Sequence, residues 1–256
     1  MSRARIAALS MLAAAAAPAG AQTMLDQQRR LIDVHDLLLD LPPVDAPADL
    51  RPYQLGVAVE VIAIPSIDGA TGTRRQITAS DHTPLFPRPR LAIGLPAPEG
   101  FRAFAGVSYI PPVTLEDVST HYVAAEAGVG HAAGPLWVGL RAHAAHAFSK
   151  SPVTDPTTKD TLETTIYGAD VAAGRAFELG LASLTPYAGV GVTRADGRFR
   201  VTSDGVVLKS DDTALAIHGG VRLLVKQRWE AVGELDAYPG RLVHPNFRIG
   251  YLFDLR

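Results

Sequence analysis

Cysteine is absent from the 256 residues, which excludes disulfides, thiolate metal sites and a lipidated N-terminal cysteine. Charge is scarce too. Charged residues make up 20 % of the chain, below the roughly 25 % of soluble domains, and the formal net charge is −2. A balance so near neutrality removes the basic face on which a nucleic-acid binder depends. Long apolar runs are missing after residue 22: no later stretch approaches the ~20 apolar residues that a transmembrane helix needs. The hydrophobic content, 47 %, is nevertheless ordinary. Low charge with ordinary hydrophobicity fits a chain that shows half its strand positions to lipid, and the length suits one large β-domain or two small domains.

The N-terminus has the three parts of a secretory signal. Arg3 and Arg5 supply the positive start, an apolar stretch covers 6–17, and Ala19-Gly20-Ala21 supplies the small-residue cleavage site. About a dozen apolar residues are too few for a membrane anchor. The expected organisation is therefore a signal peptide over 1–21, cleaved after Ala21, a helical and proline-rich lead-in over 22–49, and one domain over 50–256. In the lead-in, Leu25, Ile32 and Leu39 recur every seven residues, which predicts a helix over 24–40 that Pro42 and Pro43 stop. A periplasmic helix, a plug and a flexible lead-in all fit this segment.

From Leu50 the period becomes two. Leu55, Val57, Val59 and Val61 alternate with Gln54, Gly56, Ala58 and Glu60; Leu91, Ile93 and Leu95 alternate with Arg90, Ala92 and Gly94. The same pattern predicts strands at 101–109, 119–131, 135–148, 161–175, 183–195, 212–225, 228–238 and 245–255, about ten in all. Most approach or exceed ten residues. Soluble strands cluster near five or six, whereas transmembrane strands need about nine to eleven. The second face is rich in glycine and small polar residues, among them Gly106, Gly128, Gly168, Gly189 and Gly250. A soluble sandwich fills its inner face with bulk; a membrane barrel turns its apolar face outward instead. The connections after the odd strands (66–87, 111–118 and 149–160) are the longer ones, as outer loops should be, and the even turns are short. The expected fold is thus all-β: a single antiparallel transmembrane β-barrel of about 10 strands, with 8–12 open. The stretch 196–210 fits either an outward hairpin extension or two further strands.

The last segment carries Arg248, Gly250, Phe253 and Leu255 at the spacing of a polar residue, a glycine and two alternate hydrophobic residues, with Phe247, Ile249 and Tyr251 on the same side as Phe253. Here the chain resembles the small bacterial outer-membrane β-barrel proteins. Leu184-Thr185-Pro186-Tyr187-Ala188-Gly189-Val190-Gly191 also looks like one of their strands. The chain departs from them in ending on Leu255-Arg256 instead of an aromatic residue. The resemblance implies location in a Gram-negative outer membrane, contact with its lipid and lipopolysaccharide, and an insertion signal (Arg248, Gly250, Phe253, Leu255) read by the barrel-assembly machinery. Trp137 and Trp229 lie beside short connections, where a periplasmic aromatic girdle would sit.

A barrel enzyme needs a convergent site. Ser119 and His121 stand two apart, as the His and Ser of outer-membrane deacylases do, though in reverse order, with Glu116 or Asp117 as orienting carboxylates. Asp211-Asp212 is a second acidic pair. Solvated loop charges account for all of these more simply. His143 and His146, three apart, point to opposite faces of a strand and share no metal. No catalytic residue, cofactor or metal is therefore expected. The interior is expected to carry Arg90, Arg102, Arg141, Arg222 and Arg248 against Glu60, Glu126, Asp170, Glu230, Glu234 and Asp236, because charges in a narrow lumen must be paired or hydrated. Arg198, Arg200 and Lys209 stand where lipopolysaccharide phosphates could be reached. The function expected is a non-enzymatic barrel, structural and surface-exposed or a narrow channel. The alternatives are a barrel enzyme acting on lipid or peptide at the outer rim, and a soluble periplasmic barrel or sandwich binder.

Overall fold

The computed structural model describes residues 40, 50–63, 85–115, 118–155, 157–203 and 205–255. The signal peptide, the helix predicted over 24–40 except for its last residue, and most of the first long connection lie outside these. Eleven strands follow in chain order: β1 (Gln54–Ala63), β2 (Leu85–Leu95), β3 (Phe101–Leu115), β4 (Val118–Ala133), β5 (Leu136–Asp155), β6 (Thr158–Arg175), β7 (Phe177–Leu179), β8 (Ala182–Arg200), β9 (Val207–Val225), β10 (Trp229–Tyr238) and β11 (Leu242–Asp254). Each pairs antiparallel with its neighbour, β1 pairs with β11, and β6 and β7 both pair with β8 as two pieces of one wall strand. The result is a closed ten-strand barrel.

Closure removes the sheet edges, and alternation sorts the side chains. Val57, Val59, Leu91, Val107, Leu140, Val190, Leu215 and Ile249 stand exposed on the outside, while their neighbours in sequence are buried in the lumen. This is the reverse of a soluble domain, and among the described residues no helix is long and apolar enough to cross a membrane. The stretch 196–210 becomes the tip of the β8–β9 hairpin and adds no strand. The third and fifth connections differ from expectation: Pro111 and Pro112 bulge within β3, and β5 runs on to Asp155, so the outer ends are extended strands and not long loops.

The turns at the end where β1 begins are tight. Gly100, Gly134 and Gly180 hold positive φ there, a region open to glycine without a Cβ penalty. The β9–β10 turn reaches the same twist without glycine: Lys226 (φ 51°) and Gln227 (φ 56°) form a type I′ turn closed by the Arg228 N–H donating to the Val225 carbonyl.

Strand height divides the wall. β5, β6, β8 and β9 have 20, 18, 19 and 19 residues, whereas β1, β2 and β10 have 10, 11 and 10. The tall strands are roughly twice what a bilayer crossing requires. The seam between β2 and β3 is the short one: it is laddered only from Arg90↔Ser108 to Leu95↔Ala103, and Leu85 to Pro89 pair with β1 alone. The Gly94 carbonyl accepts from Tyr53 in the β1 direction, so even-numbered β2 residues direct their backbone groups toward β1 and odd-numbered ones toward β3. Pro87 and Pro89 are odd. Each meets β3 without a donor, and the ladder stops where they begin.

Candidate functional site

The lumen is the place where unusual chemistry gathers, and it is built from the inward alternate positions. Three ionic groups line its wall. Glu60 accepts from Arg88, Arg88 donates through Nη1 to the Tyr122 hydroxyl at 3.2 Å, and Arg90 reaches Glu126 and, at 3.8 Å, Glu60. Arg141 donates through Nε to Asp170 at 2.9 Å, with His218 3.8 Å from the same carboxylate. Glu230 receives Arg222 at 2.9 Å and Arg248 at 3.1 Å. Glu60 and Arg88, and Arg141 and Asp170, are register partners on adjacent strands, while Arg90 reaches Glu126 across β3, so these buried ions have opposite charges beside them, as ions removed from water require. Arg88, Arg141 and Arg248 are at most 1 % exposed.

Toward the outer end the lumen turns apolar. Ile62, Ile110, Tyr122, Ala124, Ala145, Ala147, Ile166 and Ala195 form one buried cluster. Beside it the Tyr238 hydroxyl donates to Asp40, and His143 Nε2 lies 3.4 Å from the other oxygen of that carboxylate. Asp40 precedes β1 by more than a dozen residues and is 1 % exposed, seated in the lumen against Tyr238 and His143. At the opposite mouth Leu50 packs on Ala92 and Phe104, and Trp137 packs on Tyr187 and Val232.

The glycines of the inner face make room for this filling. A Cβ on Gly168 would stand 2.2 Å from the His143 ring, one on Gly189 2.2 Å from that of His218, and one on Gly128 2.3 Å from Phe104. These inward rings thus occupy the space over a glycine of another strand.

Of the interior charges expected from sequence, Glu60, Arg90, Glu126, Arg141, Asp170, Arg222, Glu230, Glu234, Asp236 and Arg248 are buried. Arg102 is not: its position shares the inward phase, but it lies one residue into β3, and at that mouth the side chain is exposed. Trp137 likewise leaves the expected girdle, because its position faces inward over Gly174. Trp229 stands 58 % exposed on the outside, edge-on to Tyr251 at 4.8 Å. Sequence reading missed Arg88, His218, His244, Tyr122, Tyr187 and Tyr238. Arg88 had a signal, since the alternation runs back from Arg90 through the prolines. Asp40 had none. Ser119 and His121 belong to the outward face of β4, with His121 edge-on to Tyr109 at 6.2 Å; Glu116 and Asp117 lie outside the described residues. His143 and His146 point to opposite faces. Among the described residues no cluster of His, Asp and Glu could hold a metal ion.

The outside completes the picture. Phe101 and Tyr109, both exposed on β3, bracket about 27 Å of strand, which a tilt of about 40° projects to about 21 Å, close to the ~25 Å apolar band of membrane barrels. Beyond that band the outward positions of β8 become Arg194, Asp196, Arg198 and Arg200. A closed sheet with an apolar exterior and an ion-paired interior is the strand-built way to cross a bilayer. The chain folds as a transmembrane β-barrel.

No family model matches this barrel, and no curated protein does. Solved structures similar to it include the β domain of the Bordetella autotransporter BrkA (13 % identity, 82 % of this chain and 99 % of that one, TM-score 0.42). The translocator domain of the autotransporter NalP from Neisseria meningitidis is similar at 11 % identity, over 89 % and 95 % of the two chains, with TM-score 0.43. OmpT lacking loop L8, an outer membrane protein of Vibrio cholerae, is similar at 13 % identity, over 78 % and 62 %, with TM-score 0.33. The membrane reading rests on this barrel's own surface.

Proposed function

We propose that this barrel is a non-enzymatic outer-membrane protein with a lumen closed by its own side chains, and that its role lies in the tall strands it presents at the cell surface. The observation that carries this reading is the filled interior. Arg88, Arg141, Arg248, Tyr122, Tyr238 and Ile166, contributed by different strands, are all essentially inaccessible, and Asp40 is seated among them. A ten-strand barrel stands near the size at which side chains alone fill the lumen. The outward position of Ser119 and His121 supports the non-enzymatic reading, since a nucleophile and base would have to converge on a shared recess. The row Phe247, Ile249, Tyr251 and Phe253, with Gly250 turned inward beneath Glu230, supports the role of β11 as the strand presented to the assembly machinery.

Planar-bilayer recording on the refolded full-length mature chain tests the closed lumen. Silent membranes are expected at moderate voltage even when heat-modifiable mobility shows that the barrel has folded. Steady ohmic current through the wild-type protein would make it a channel. Current appearing only in Asp40→Ala would leave the wild-type barrel closed and identify Asp40 as the contact that keeps it so.

A further inference from the structure

The difference in strand height leaves a sheet edge open, among the described residues, on the outer wall. β9 pairs with β8 along its whole length, from Val207↔Arg200 to Val225↔Ala182, without a shift of register. On its other flank β10 covers only Ile217 to Val225. The Lys226 N–H donates to the Leu181 carbonyl at 2.7 Å, one step beyond the β8–β9 ladder, so even-numbered residues of β9 turn their backbone groups toward β8. Odd-numbered ones turn the other way, as the Val225 carbonyl does in accepting from the Arg228 N–H. Val207, Lys209, Asp211 and Thr213 therefore direct their N–H and C=O groups past the end of β10, and among the described residues no strand pairs with them there.

Open edges are normally blunted by proline, by a bulge or by brevity. β3 shows this: beyond Ser108 its free flank carries Pro111, Pro112 and a break in register. β9 has none of these over 207–215, about 30 Å of regular strand held by β8. Arg241 of the β10–β11 turn donates to Asp212, whose side chain lies on the inner face. On the outer face Lys209 and Asp211 stand exposed, two residues apart. Asp211 meets Arg194 at 2.7 Å, whereas Lys209 has no carboxylate within 4 Å among the described residues. A lone edge lysine deters pairing; with Asp211 beside it on the same face, the edge selects a strand of the opposite charge order.

We propose that this edge of β9 binds an extended segment of another protein at the cell surface. The segment adds antiparallel as a further strand, with an acidic residue opposite Lys209 and a basic one opposite Asp211. This rests on the surface role of the tall strands proposed above. The test is fluorescence anisotropy of labelled heptapeptides with the detergent-refolded full-length mature chain. Thr-Val-Lys-Val-Glu-Val-Thr sets its Lys against Asp211 and its Glu against Lys209, and exchanging the two charges is expected to weaken binding about fivefold. N-methylation of the peptide's Lys and Glu, whose amides face β9, is expected to abolish binding; N-methylation of the central valine, which faces away, leaves it. Thr213→Pro removes one edge donor, spares the bonds to β8, and is expected to weaken binding with heat-modifiable mobility retained. The proposal fails if the unmodified peptide does not bind, if both methylated forms bind alike, or if charge order has no effect. It also fails if the peptide binds only after deletion of residues 66–83, which would give the edge to the chain's own first connection. A wild-type dimer that Thr213→Pro dissociates would give the edge to a second copy and overturn it equally. Labelling of Ser203→Cys by an impermeant maleimide on intact cells keeps the two readings apart. No labelling overturns the surface role itself, and labelling without peptide binding overturns the added strand alone.

Discussion

The two sides of this barrel solve the same geometric problem differently. From β4 through β9 the ladders run unbroken for most of their length, with pairs from Ala182↔Val225 to Arg200↔Val207 between β8 and β9. Between β2 and β3 the ladder covers Arg90 to Leu95 only, and prolines at 87, 89, 111 and 112 crowd the outer half. The first wall is held by its backbone. The second depends on side chains behind it: Arg88, Glu60, Arg90 and Glu126 join β1, β2 and β4 across the interrupted seam. Where a ladder is lost, a buried ionic lattice stands in the same place. Interior charge here acts as cross-strand fastening and not only as filling.

The strongest way to break that contrast is to remove one member of a buried pair. Arg88→Met leaves Glu60 buried at the interrupted seam without its 2.8 Å partner and is expected to cost about 3–5 kcal/mol. Arg194→Met removes a pair whose partners are about half exposed and is expected to cost under about 1 kcal/mol. Guanidinium unfolding in detergent, followed by tryptophan fluorescence, compares the two; equal losses would mean that burial is not what gives the interior pairs their weight.

Steric filling comes next. Gly168→Ala drives a methyl into the His143 ring and is expected to lose about 1–3 kcal/mol, whereas nothing lies within 4 Å of a methyl at Gly233, and Gly233→Ala should stay within about 0.5 kcal/mol of wild type. The same unfolding curves read both, and a tolerant Gly168 would mean that the lumen is looser than it stands here.

The smallest effect concerns the seam itself. The amide of Tyr109, which faces Pro89, is expected to exchange with solvent deuterium faster than those of 190–193. Pro89→Ala, which restores a donor toward β3, should slow exchange locally with little change in the unfolding midpoint. Unchanged exchange in that variant would assign the gap to the Pro111–Pro112 bulge.

Much of the barrel was legible in the sequence because a membrane barrel writes its register as strict alternation. Leu55 to Val61 and Phe247 to Phe253 announce their outward face without any knowledge of partners. The interior charges were legible for the same reason, since inwardness follows from parity. What parity does not carry is axial depth: Arg102 and Trp137 have the inward phase, and only their places at the mouth decide what surrounds them. Strand ends were also illegible. Polar residues beyond the membrane look like loop, so Ser149 to Asp155 read as a connection although β5 runs through them, and 196–210 stayed open between a hairpin extension and two further strands until the β8–β9 ladder placed it in the extension. Asp40 was beyond reach altogether, because a buried carboxylate in a proline-flanked stretch leaves no periodic trace.

The matching of His143, His218 and Phe104 to glycines on other strands has a consequence for assembly. Sliding β6 against β5 by two residues keeps every apolar face outward and satisfies the backbone equally well. It also brings Asp170 or Ile166 under His143 where Gly168 should be. A hairpin misaligned by two residues is therefore opposed by volume as well as by charge. The interior thus helps to set the register of the closing sheet, and a smaller residue at His143 is expected to offset part of the cost of Gly168→Ala.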